Sequence, residues 1–143
     1  LPILPDDIKA LHGGLAASDP RPDPRVAAIS LLVPLSAIFT PESLSRISIP
    51  VGVTLGESDE VLNPSFHGQH LLRHCRTSEL LTSNPKAGHF DWLSPWPALI
   101  AQKVAATQVR GGNPNPLVTQ EQKQLAFDRI ASFFTKSLKS TSQ

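Results

Sequence analysis

Two short segments of the sequence carry side chains that could share a proton-transfer reaction. The first, residues 50–60, reads Pro-Val-Gly-Val-Thr-Leu-Gly-Glu-Ser-Asp-Glu, and it presents Asp59 after an apolar run and a glycine turn. The second, residues 86–91, reads Lys-Ala-Gly-His-Phe-Asp, and it presents His89 about thirty residues further along the chain. An acid followed by a histidine in this order matches the last two members of one type of Ser-Asp-His triad.

The chemistry expected of this pair is the activation of a hydroxyl nucleophile. A histidine can act as the general base, and a neighbouring carboxylate can accept its other ring N–H, which fixes the tautomer and stabilises the imidazolium. These roles would fall to His89 and Asp59. Gly88 is expected to let the backbone turn sharply just before the histidine. Three other acids compete for the carboxylate role: Glu57, Glu60 and Asp91.

The nucleophile itself is missing from the sequence. No Gly-x-Ser-x-Gly motif, which would place a serine on a turn between a strand and a helix, occurs in the 143 residues. The usual kind of oxyanion loop is missing as well. The chain therefore carries the part of a triad that orients and transfers protons, without an evident serine to activate.

The elements that would position these residues alternate between strands and helices. Three apolar runs predict strands, and the first two are apolar enough to be buried on both faces of a sheet, as in parallel sheets. Thr40 and Thr119 are the predicted caps of the second and last helices. The predicted strands are 26–33, 51–55 and 79–83. The predicted helices are 6–11, a short helix from 41 that must end before Ile49-Pro50, 63–75 and 120–138, and the irregular stretch could include a further helix at 96–107. The last helix should present one broad apolar face, made of Leu125, Phe127, Ile130, Phe133, Phe134 and Leu138.

This alternation predicts an α/β fold with a parallel sheet. With only three strands, such a sheet has a long apolar edge left unpaired, so the piece resembles part of a larger domain. Fourteen prolines cluster near both irregular stretches and indicate structured loops. The predicted organisation is a Pro-rich segment 1–25, a core 26–94 that contains both candidate residues, an irregular stretch 95–118 that could include the fourth helix, and a final helix 119–140.

Composition excludes several classes of function. The 143 residues are 40% apolar and 17% charged, and 13 basic against 12 acidic side chains leave a formal charge of +1. Without a basic run, a nucleic-acid role has no electrostatic support. No apolar stretch approaches the roughly 18 residues of a membrane helix, so no membrane span is expected. Cys75 is the only cysteine, so no disulfide can form within the chain.

Two further groups of residues have both a functional and a structural interpretation. His67, His70 and His74 are spaced to share one helix face, where they could bind a transition metal or could simply be solvated. Cys75 beside them is expected to be a buried structural thiol. The aromatic residues after the histidine and the segment after the first strand could line a pocket or belong to the core: Phe90, Trp92, Trp96 and Leu35–Phe39.

Three segments of the sequence resemble the last strands of an α/β-hydrolase. They are Val26–Pro34, Pro50–Asp59 and Ala87–Phe90. The likeness is greatest to the dienelactone-hydrolase-like branch, which is similar to platelet-activating-factor acetylhydrolases. It covers roughly residues 20–100 and the final helix. The pairing of Gly56-x-x-Asp59 with Gly88-His89 is more specific than either motif alone.

The resemblance implies that the chain is the C-terminal half of an α/β-hydrolase fold, with Asp59 as the triad acid and His89 as the general base. The implied reaction is hydrolysis of a carboxylic ester or lactone, without a metal or an organic cofactor. The implied partner is an N-terminal chain or segment that carries the serine nucleophile and the oxyanion hole.

Two other functions stay open at this point. A hydrolase fold without its nucleophile could be a non-catalytic binding module, with the unpaired sheet edge as its interaction surface. A metal-binding domain built on the three histidines is the other alternative. The chain begins at Leu1, and this start together with the resemblance to often-exported esterases favours a secreted or periplasmic location.

Overall fold

The computed structural model describes residues 23–92, 97–107 and 115–140. The predicted helix 6–11, most of the Pro-rich segment 1–25 and Trp96 lie outside these described residues. The rest of the predicted elements can be compared directly with the structure.

The described parts of the chain form a parallel sheet of three strands at the centre of the structure. These are β1 (Ile29–Leu32), β2 (Val51–Gly56) and β3 (Ser78–Asn84), and they lie side by side in that order. Both pairs of neighbours run parallel, β1 against β2 and β2 against β3. The predicted α/β class with a parallel sheet is therefore confirmed.

The central strand is buried as predicted, but the first strand is not. All six residues of β2 are buried, whereas the four residues of β1 are only half-buried. β1 is also shorter than the predicted run from Val26 to Val33. The physical reason is its position, because β1 lies at one edge of the sheet and no other described strand pairs with its outer side.

Within the described residues, four helices accompany the sheet: α1 (Pro41–Ser45), α2 (Gly68–His74), α3 (Ala98–Thr107) and α4 (Gln120–Ser140). The predicted cap of α1 is confirmed, because Thr40 accepts a hydrogen bond from the N–H of Ser43 at 3.2 Å. Thr119 caps α4 and forms a capping box, in which the Gln122 amide oxygen accepts in turn from the Thr119 N–H.

Two helix boundaries differ from the predictions. α2 begins at Gly68 and not near Asn63, because hydrogen-bonded turns occupy the residues from Asn63 to His67. α3 lies inside the stretch 95–118 that was predicted to be mainly irregular, although a helix there was allowed. Neither difference moves the residues that carry the candidate chemistry.

Each face of the sheet is covered by helices. On one face, Val51, Val53 and Leu55 of β2 pack with Leu44 of α1 and Leu71 of α2. The other face lies against α4, which packs on β3 and β2. The contact there is so close that a Cβ at Gly52 would lie 3.2 Å from the Phe133 ring.

The predicted apolar face of α4 is partly wrong. Phe133 is buried as predicted, together with Ala126 and Ser137, whereas Leu125 and Leu138 are about half exposed. Positions 126, 133 and 137 follow one helical stripe. The Phe133 ring packs against the sheet where Gly52 leaves room for it, and the exposed leucines lie off this stripe.

None of the helices within the described parts of the chain combines the length and the apolarity that are needed to cross a membrane.

Candidate active site

The two candidate residues meet at the carboxyl edge of the parallel sheet. Asp59 follows β2 and His89 follows β3, and parallel neighbours end at the same edge. The turns that carry them are joined by backbone hydrogen bonds, from Glu57 N to Asn84 O and from Ser58 N to Ala87 O, each 3.0 Å long. The fold itself therefore brings together residues that are thirty positions apart.

Gly56 allows these two turns to approach each other. A Cβ at this position would lie 2.6 Å from the carbonyl oxygen of Ala87 and 2.9 Å from that of Gly88. Backbone atoms cannot yield as a flexible side chain would. A glycine at the end of β2 is therefore a steric requirement of the site.

Gly88 does not have the role that the sequence predicted. Its φ lies outside the left-handed region, and a Cβ there would meet its nearest neighbour, Asp91 Oδ2, at 3.5 Å. This is an ordinary van der Waals distance. The sharp approach of the histidine loop therefore depends on Gly56, while an alanine would fit at position 88.

Asp59 and His89 form a close, directed pair. Asp59 Oδ2 lies 2.8 Å from His89 Nδ1. The second carboxylate oxygen, Oδ1, accepts the backbone N–H groups of Val61 at 2.8 Å and Leu62 at 2.7 Å. Three hydrogen bonds thus fix the carboxylate, whose side chain is only 1% exposed, whereas that of His89 is 21% exposed.

This arrangement selects one form of the imidazole. An ionised carboxylate only accepts hydrogen bonds, so the proton of neutral His89 belongs on Nδ1. Nε2 then carries the lone pair that can take a proton from a reacting group. The pair has the geometry of a general base held in one tautomer by a buried carboxylate.

The competing acids have other partners. Asp91 accepts the backbone N–H of Gly88 at 2.7 Å and that of Asn115 at 2.6 Å, so it joins the histidine loop to the segment before α4. Glu57 accepts the hydroxyl of Ser83 at 2.5 Å. The sequence did not predict the contribution of Asn115, because nothing local marks a residue that contacts a loop from 24 positions away.

An apolar cleft lies beside the histidine. Phe90 and Trp92 line it together with Leu35, and its volume is about 350 Å³. The edge of the Phe90 ring meets the His89 ring, with 4.8 Å between centroids. Trp92 is only 2% exposed and also packs in a core cluster with Ala87. It therefore both lines the pocket and belongs to the core, the two interpretations that the sequence left open.

The three histidines of the predicted helix face do not form a cluster. His67 lies before α2 and is buried, while the rings of His70 and His74 are 4.8 Å apart. Among the described residues, no three His, Cys, Asp or Glu side chains come together in a way that could hold a metal ion. Cys75 is buried in the core, as predicted.

His67 has a structural role that the sequence did not predict. Its Nδ1 accepts the backbone N–H of Ala37 at 3.3 Å, and its carbonyl oxygen accepts the hydroxyl of Ser36. These bonds attach the loop after β1 to the start of α2. Burial lowers the pKa of His67, partly offset by the nearby charge of Asp59. The low pKa favours the neutral ring that can accept from Ala37.

No family model matches the chain, and no significant match is found among curated proteins or solved structures.

Proposed function

We propose that this chain supplies the acid and the general base of a Ser-His-Asp triad in a hydrolase of carboxylic esters or lactones. Asp59 is the acid and His89 the base. The nucleophilic serine and the oxyanion hole would lie on another, N-terminal polypeptide segment. The single observation that carries the proposal is the 2.8 Å contact between His89 Nδ1 and the buried, triply hydrogen-bonded carboxylate of Asp59.

The topology of the sheet supports the same proposal. The acid follows the central strand and the histidine follows the strand at one edge, while the outer side of β1 has no partner among the described residues. A parallel strand added beside β1 would end at the same carboxyl edge. A serine at the end of that strand would be on the side of the sheet edge where Asp59 and His89 lie.

The reaction would begin when Nε2 of His89 takes the hydroxyl proton of the serine, as the serine oxygen bonds to the ester carbonyl carbon. Asp59 balances the charge of the imidazolium. His89 then returns the proton to the leaving alkoxide oxygen as the carbon–oxygen bond breaks. Water repeats these steps on the acyl intermediate and releases the acid and the free serine.

A second candidate is a non-catalytic binding module. The observation that favours it is the lack of a Gly-x-Ser-x-Gly motif together with the unpaired edge of β1. An edge strand can accept a strand from another chain without any chemistry. The two candidates differ in whether His89 is needed for turnover or only for structure.

The test compares ester turnover by the purified chain, together with any polypeptide that co-purifies, in wild type and in two variants. His89→Ala should lower kcat about a thousandfold or more. Asp59→Asn should also lower it strongly, because the amide lacks the negative charge and, with its oxygen held by the N–H groups of Val61 and Leu62, turns its NH2 toward Nδ1 and favours the wrong tautomer. His74→Ala is the matched control, since this histidine lies on α2 and should leave the rate unchanged.

Circular dichroism and thermal unfolding of each variant would separate lost chemistry from lost folding. Unchanged turnover in the folded His89→Ala protein would contradict the proposal. If His89 is required but Asp59→Asn is harmless, another acid is the partner of the histidine.

A further inference from the structure

The cleft beside His89 has an unusually uniform lining. The ends of β1 and the loops after β2 and β3 enclose about 350 Å³. Among the described residues, His89 is the one member of the lining with a titratable side chain, and the others are Leu32, Val33, Pro34, Leu35, Leu62, Phe90 and Trp92. The indole N–H of Trp92 is buried without a hydrogen-bond partner. No lysine, arginine or carboxylate of the described parts of the chain lines the cleft, and the Asp59 carboxylate behind His89 is almost fully shielded.

One wall of the cleft is built on a strained backbone. Val33 has a φ of 42°, and it is the one non-glycine residue with positive φ in the described part of the chain. A β-branched residue is poorly suited to this region, so the conformation must be held by its surroundings. The N–H of Val33 donates to Thr54 O at 2.9 Å, which holds the backbone against β2 at the end of β1. Such strain is typical of sites where a fixed wall has a function.

From this lining we infer that the cleft holds the acyl group of the substrate, and that this group is apolar and uncharged. The inference rests on the proposed function, since it is His89 that makes this cleft the place where an ester would react. A carboxylate on the acyl chain would lose its hydration in the cleft without meeting any cation. If each carbon of the acyl chain occupies roughly 30 Å³, the volume of one water molecule in the liquid, an eight-carbon chain occupies about 240 Å³. The cleft, at about 350 Å³, can accommodate it.

The test is a binding experiment with two esters of equal chain length. Methyl octanoate has an apolar tail, and monomethyl suberate ends in a carboxylate. Their binding to the purified chain, with anything that co-purifies, is followed by the backbone amide resonances of Leu62 and Phe90. We expect methyl octanoate to shift these resonances and to bind at least tenfold more tightly than monomethyl suberate.

A charge placed in the cleft should reverse this preference. Leu62→Lys should weaken the binding of methyl octanoate and strengthen that of monomethyl suberate, because the lysine supplies the missing counter-charge. Leu125→Lys is the matched control, since this leucine is exposed on α4 and should change neither affinity. If Leu62→Lys does not fold, the ratio of the two affinities in wild type still decides the inference.

The outcomes separate this inference from the proposed function. Equal binding of both esters, or no shift at Leu62 and Phe90 with either, would overturn the inference, and the second result would indicate that an apolar segment of another chain occupies the cleft. The His89→Ala turnover experiment tests the proposed function independently. If His89→Ala keeps full turnover, the proposed function fails, and a preference for methyl octanoate would then show only that the cleft binds an apolar chain, which would overturn its assignment as an acyl site.

Discussion

At the scale of single residues, the sequence offers four acids as partners of His89, and the contacts that distinguish them lie outside sequence patterns. Asp59 and Asp91 are both buried carboxylates near His89. Asp59 contacts the imidazole, while Asp91 contacts two backbone N–H groups. Chain order favoured Asp59, but only the three-dimensional arrangement shows that Asp91 braces the loop.

His67 makes a prediction about the pH dependence of stability. Its pKa is lowered in the folded protein, mainly by burial, from an ordinary value of 6.5. The unfolded chain therefore binds a proton more readily, and the stability that the neutral ring contributes is lost as the pH falls below about 6.5. The charged or titratable groups that affect it are Asp59, which raises its pKa, and His70 and His89, which lower it.

The measurement is urea unfolding at pH 7.5 and pH 5.5 for wild type and His67→Asn. Asparagine keeps an acceptor for the Ala37 N–H but does not titrate, so the variant should lose less stability between the two pH values than wild type does. His74→Asn should keep the wild-type dependence. An identical pH dependence in wild type and His67→Asn would show that His67 is not responsible.

At the scale of elements, hydrophobic patterns predicted which segments form strands and helices, but not how closely these elements pack against one another. The order of strands and helices and the caps at Thr40 and Thr119 followed from the sequence, since these signals are local. The exposure of β1 and the buried stripe of α4 did not, because both depend on which neighbour covers an element. For the same reason, the role predicted for Gly88 was wrong, and the steric requirement for a glycine at position 56 was not predicted.

The two glycines of the site give a matched test. Gly56→Ala would place a methyl group 2.6 Å from the Ala87 carbonyl oxygen, so the turns that carry Asp59 and His89 must separate. We expect a loss of about 1–3 kcal/mol in the free energy of unfolding, as for other overpacked sites. Gly88→Ala should cost much less, because its new methyl group meets only ordinary contacts.

Chemical denaturation gives the stabilities, and the imidazole resonances of His89 report on the pair itself. We expect Gly56→Ala to change the His89 resonances more than Gly88→Ala does. Equal effects of the two substitutions would mean that the close approach at Gly56 does not hold the pair together.

At the scale of the whole molecule, the sheet has an acid and a histidine at its carboxyl edge, and the outer side of β1 has no partner strand among the described residues. The sequence predicted three strands from the number of apolar runs, and the completion of the sheet by another polypeptide stays a prediction. It could not predict the cleft beside His89, because the cleft walls come from three separate loops. Any partner that adds a strand to β1 would also complete the surroundings of that cleft.

The most direct test of the central proposal is intact mass spectrometry after treatment with a fluorophosphonate, which reacts with activated serines. The sample is the purified chain with all co-purifying polypeptides, in wild type and in His89→Ala. We predict an adduct on a serine-bearing polypeptide other than these 143 residues. The amount of this adduct should be strongly reduced in His89→Ala. An absence of adduct throughout the wild-type sample, or an adduct unaffected by His89→Ala, would contradict the account.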